Sequence, residues 1–191
     1  MSPSDPGDPS ALDGGGDALV VAPRVRDATD DRWQALAGAA APPERVVGVS
    51  IGRSPTALRA AWCRGPNEPS CSFVTVADAT RSAASASVGT LPGATVTAVP
   101  SVRPLSRFAE AITDQLGDRE AETVVSVHSI TDLLEYADRE TVFRFLHALA
   151  SSVRATRATG YYHLDAVAHD AETVARFGTL FDAVVELDDG R

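Results

Sequence analysis

Most apolar runs in this chain are continuous rather than alternating, and this limits the available folds more than any other feature. Residues 18–22, 46–51, 73–77, 94–99, 123–127, 161–164 and 183–187 are short apolar runs, many of them rich in Val. A strand with one wet face alternates apolar and polar side chains, whereas a run that is apolar throughout has both faces covered, as in a parallel sheet. Between these runs lie stripes of period 3.6 with recognisable starts. Thr29 can cap a helix carrying Trp33 and Leu36, and Ser54-Pro55 supplies a cap followed by proline at the first helical position. Pro104 opens a stripe of Leu105, Phe108, Ile112 and Leu116. Asp138 precedes Val142, Phe145, Leu146, Leu149 and Val153, and Asp170 precedes Val174, Phe177 and Leu180. Strand and helix alternating in this way predict an α/β fold, a doubly wound, mainly parallel sheet with helices on both faces. Residues 80–90, rich in Ala and Ser, show no period and are assigned to no element.

Residues 1–17 are mostly Pro, Ser, Asp and Gly and end near Gly14-Gly15-Gly16. They hold too little apolar surface to offset the entropy of ordering, so the sequence predicts a disordered tail over 1–17 and one domain over 18–191. The tail has no apolar core of a signal peptide, and no run approaches the roughly 18 apolar residues of a membrane span. A cytoplasmic protein with no membrane partner is the expectation. Cys63 and Cys71 cannot make a four-cysteine zinc site; they could lie close enough to pair, but two reduced thiols are the expectation.

The basic residues are all Arg, with no Lys in the chain, against a formal net charge of −9. Chemistry that needs an ammonium group, such as a Schiff base or a phosphate-binding P-loop Lys, is excluded. The negative balance also disfavours nucleic-acid binding, which depends on cationic side chains releasing counterions from phosphates. An acidic, Ala-rich, Lys-free composition resembles that of proteins from salt-loving archaea.

The order of elements resembles the RecA/KaiC-like ATPase core, and three landmarks carry that resemblance. Residues 45–59 are similar to a family stretch in which a strand runs into Ser, an aromatic, Glu, Glu, Ser and Pro before a helix. The resemblance implies that the paired Glu supplies the base orienting the attacking water, and here the pair is Gly52 and Arg53. Laid on G-x-x-x-x-G-K-[ST], positions 22–29 put Ala22 and Asp27 for the glycines, Ala28 for the Lys, and Thr29 in place, with Arg24 and Arg26 between. Residues 124–134 resemble the strand that ends in the magnesium-orienting Asp, and His128 stands at that position, followed by Ser129. A neutral imidazole suits hard Mg²⁺ poorly. The carboxyl-terminal half also resembles uncharacterised haloarchaeal RecA/KaiC-like proteins, through residues 129–136, 143–147, 162–165 and 180–186.

The resemblance therefore implies a pseudo-ATPase with no cofactor, no catalytic residue and no ATP binding, kept for protein contacts or self-association. Two other readings remain open: a nucleotide or anion sensor using Thr29, Arg24 and Arg26, and an enzyme using His128. His128, Ser126, Ser129 and Asp132 lie close in sequence, and His128 and Ser126 share a strand face, but successive strand residues point to opposite faces, which disfavours a converging triad. His163, Asp165 and His169 are weak metal candidates whose spacing matches no zinc pattern, and Asp170 beside them reads as a helix cap.

The acidic excess predicts that the fold depends on salt, because like charges repel when counterions are dilute. Melts followed by circular dichroism should show a higher midpoint in molar KCl than in dilute buffer. Equal midpoints would remove the halophilic reading.

Overall fold

The computed structural model describes residues 16–23, 43–51, 54–62, 68–76, 87–116 and 122–187. The strands are β1 (Gly16–Ala22), β2 (Arg45–Ser50), β3 (Ser70–Val76), β4 (Ser87–Leu91), β5 (Ala94–Val99), β6 (Thr123–His128), β7 (Thr159–Asp165) and β8 (Ala183–Glu186). The described helices are α1 (Pro55–Trp62), α2 (Leu105–Thr113), α3 (Ile130–Tyr136), α4 (Arg139–Ala155) and α5 (Ala171–Gly178). One sheet runs in the order β4-β5-β3-β2-β6-β7-β1-β8. Every neighbouring pair is parallel except β4 with β5.

The continuous apolar runs are buried on both faces. Leu19, Val21, Val47, Val49, Val125, Val127, Tyr162 and Leu164 join one core with Phe108, Ile112, Leu133, Phe145, Leu146 and Phe177 from α2 to α5. The alternate residues Ala18, Val20, Val46, Phe73, Val124 and Tyr161 form a second core on the other face. Strand-to-strand crossovers are right-handed, so their direction along the sheet decides the face. The connections through α2, α3 and α4, and α5 all step towards β8. The connection through α1 steps the other way, from β2 to β3, which puts α1 on the opposite face and winds the sheet doubly.

The expected caps at the two acidic residues are present. Asp138 Oδ1 accepts from the Thr141 N–H at 2.9 Å, and Asp170 Oδ1 from the Thr173 N–H at 2.9 Å. These bonds hold both carboxyls below the usual carboxylate range. Pro104 precedes α2 without a side-chain cap. The expected helix around Thr29, Trp33 and Leu36 lies outside the described residues. Two elements had no counterpart in the sequence reading. The strand β4 folds back on β5 through Pro92-Gly93, where Gly93 adopts φ +74°, a conformation glycine takes without strain. The short helix α3 follows β6 directly and is capped by Ser129, whose Oγ accepts from the Asp132 N–H at 3.1 Å.

Two expectations are corrected. Cys71 is disulfide-bonded rather than a reduced thiol. The other cysteine of the sequence, Cys63, lies outside the described residues. The strand β1 includes Gly16 and Asp17, which the sequence reading places in the tail. The Asp17 side chain has no exposure, and its Oδ2 lies 2.7 Å from Arg154 Nη1 at the carboxyl end of α4. Its N–H donates to Asp182 Oδ2 at 2.8 Å, and the Asp182 N–H donates back to Asp17 O at 2.8 Å, which ties the start of β8 to β1. A Cβ on Gly160 of β7 would overlap Asp17 Oδ1 and come within 2.7 Å of the Tyr162 ring, so the close approach of these groups requires glycine there.

Burial pushes the Asp17 carboxyl up to about 7, with Asp182 adding to the rise and Arg154 and the Tyr162 hydroxyl opposing it. The unfolded chain holds this proton only below about 3.8. The protonated form therefore contributes stability that is fully present below that value and is lost as pH rises through about 7. At 1.36 kcal/mol per pH unit this amounts to about 2 to 3 kcal/mol between mildly acid and mildly alkaline solution. Asp17→Asn should flatten that part of the pH profile in urea unfolding. Parallel profiles for the two proteins would show that Asp17 does not titrate in this range.

Candidate functional site

In open α/β sheets ligands bind beyond the carboxyl ends of strands where neighbouring connections depart to opposite faces. One such point lies between β2 and β6, where Ser50 and His128 are register partners. The strand β7 lies between β6 and β1, with Asp165 opposite Ala22.

The residues at these strand ends are packed against one another. His128 and His163 occupy the same face of the sheet, with ring centroids 4.3 Å apart and planes inclined by 17°. His163 is fully buried and His128 is 6% exposed. His163 Nε2 lies 3.0 Å from the Ala22 carbonyl oxygen. A carbonyl only accepts, so Nε2 carries the hydrogen, and this fixes the ring at the end of β1. The same oxygen accepts from the Ala166 N–H at 3.1 Å.

The turn beyond β7 is tied to α3. Thr131 Oγ1 accepts from the Asp165 N–H at 3.0 Å and lies 3.0 Å from His169 Nε2. Asp165 Oδ1 accepts from the Val167 N–H at 3.0 Å, closing the turn. Burial lowers the His169 pKa, with Arg139 acting in the same direction against Asp165 and Asp170, so the ring favours its neutral form.

Among the positions picked out in the sequence, the structure unites Ala22, His128 and His163. It gives Ser129 the task of capping α3, so that its oxygen is engaged by the Asp132 N–H. His163, Asp165 and His169 do not converge as a metal site: among the described residues no three His, Cys, Asp or Glu side chains could hold an ion. Arg24, Arg26, Asp27, Ala28, Thr29, Gly52 and Arg53 lie outside the described residues. Sequence reasoning missed Ser50, which only strand register sets beside His128, and the helix α3. A signal for α3 is present in Ser129-Ile130-Thr131-Asp132, an acidic residue three positions after a capping serine.

Chemically, the arrangement places imidazole rings and a carbonyl at the strand ends, with no carboxylate at the end of β6. Such a set is poor at holding a hard cation. No described helix is long and apolar enough to cross a membrane. Fold and site together define a doubly wound α/β protein whose own side chains pack across the edge where ligands of such folds sit. The chain belongs to a family of unknown function (DUF7504), whose model matches residues 15–187. No curated protein matches it.

Substitutions at His163 separate ring packing from hydrogen bonding. His163→Phe keeps a ring against His128 but removes a donor from the Ala22 carbonyl, which retains the Ala166 N–H, and should cost about 1 kcal/mol. His163→Ala opens a cavity as well and should cost about 3 kcal/mol or more. Urea unfolding measures both, and the opposite order would count against the stacked pair as a packing unit.

Proposed function

We propose that this chain is a non-catalytic binding protein built on a RecA/KaiC-like sheet, a pseudo-ATPase that works in the cytoplasm of a halophilic archaeon through protein contacts. The observation that carries this reading is the stacked His128–His163 pair, anchored on the Ala22 carbonyl at the carboxyl edge of β1, β6 and β7. Phosphoryl transfer relies on backbone amides and a Lys around the phosphates, and on an acidic residue that orients the metal. At the end of β6 the corresponding position is His128, and the chain has no Lys to offer. The strand order and the similarity of residues 45–59 and 124–134 to the ATPase core support the lineage. The replacements at Ala22, Asp27, Ala28, Gly52 and Arg53 support the loss of its activity.

Each lost phosphate or metal contact costs about 1 to 3 kcal/mol, so three or four together move a micromolar site to millimolar or weaker. Calorimetric titration of the full chain with ATP and Mg²⁺ in molar KCl should give no binding heat, and no phosphate should be released. A dissociation constant below about 50 µM would overturn the reading and make the chain a nucleotide sensor.

A further inference from the structure

The strand β8 ends the sheet, and among the described residues it pairs only with β1. Its four residues, Ala183-Val184-Val185-Glu186, contain none of the Lys, Arg or Pro that commonly guard a sheet edge. Beneath that edge an open groove of about 940 Å³ runs between β8, the end of β1 and α5. Val21, Val174, Ala175, Val184 and Leu187 line it, and Glu186 adds a carboxylate. His169 at one end is held towards its neutral form by burial, so among the described lining residues Glu186 carries the charge. Val167, 83% exposed, projects from the turn beside it.

An unpaired strand edge offers hydrogen bonds to extended backbone, and a groove on one face accepts every second side chain of a strand added there. The carboxylate of Glu186 selects a cation. A second copy is the poorer occupant, because it would bring another Glu186 edge and a formal net charge of −9 to an edge already acidic. The geometry points to the β8 edge as a docking surface for an extended segment of another protein, with alternating apolar side chains and a Lys or Arg that meets Glu186.

This inference deepens the binding-protein reading and rests on it only for the expectation of a protein partner. ATP binding would sink that reading while leaving the groove untouched.

The test is a display library of random peptides of about nine residues, panned on the full chain in salt that keeps it folded. Enriched peptides should alternate apolar residues and carry Lys or Arg. They should bind Ala175→Trp, which fills the groove from an exposed helix position, about tenfold or more weakly. Glu186→Arg should select acidic peptides instead. Thr179→Trp fills the same groove and serves if Ala175→Trp fails to fold. Three outcomes would overturn the proposal: no enrichment, enriched peptides that bind the filled groove unchanged, or self-association abolished by Ala175→Trp in place of peptide binding.

Discussion

The burial of a parallel sheet on both faces is the constraint from which the rest of the molecule follows. In β1, β6 and β7 nearly every side chain meets protein, so a polar residue at such a position needs a partner from elsewhere in the fold. Asp17 meets this demand with Arg154, while its N–H goes to Asp182, and His163 meets it with the Ala22 carbonyl. These contacts sit at opposite ends of the sheet. At the amino end they join α4, β1 and the start of β8, and at the carboxyl end they join β1, β6 and β7.

The two ends differ in the work they can do. The amino end contains a carboxylate whose burial is opposed by a half-exposed Arg, an arrangement that titrates but offers no cleft. The carboxyl end has the topology of a ligand site, because the connections leaving β2 and β6 diverge to opposite faces. There the stacked imidazoles fill space, and the Ala22 carbonyl is bonded by both His163 and the Ala166 N–H. Rings packed against one another and a carbonyl already bonded twice are worse placed to receive a polyanion with its metal than open amides and carboxylates are. That difference is why the binding reading stands on the carboxyl end.

Much of the fold was legible because two-sided burial writes itself into the sequence as unbroken apolar runs. The parallel strands, and the caps at Asp138 and Asp170, follow from local rules that act within a few residues. What was not legible depends on register or on distant partners. Asp17 follows a glycine run and reads as tail until Arg154, far along the chain, is known to reach it. In the sequence His128 reads as a replacement for an Asp and His163 as a weak metal candidate beside Asp165 and His169, and only the pairing of β6 with β7 stacks the two rings. The strand β4 is Ser- and Gly-containing and lies at an edge, where propensity is weak and hydrogen bonding to β5 decides. A helix as short as α3 leaves no period to detect, and its capping pattern was the available trace.

The edge at β8 shows how the two ends are connected. A strand of four residues has few ladder bonds of its own, and an unsupported edge of that length would fray. Here both ends of the strand are fixed: the Asp182 N–H bonds to Asp17 O, and the Leu187 N–H bonds to Val21 O at 2.9 Å. Val185 is buried in the second core, while Val184 on the other side lines the groove against α5. The edge is thereby held in place rather than left to order on binding, which would lower the entropy cost of the strand docking proposed for it. The buried Asp17 thus links the stability of the sheet to the presentation of its outer surface.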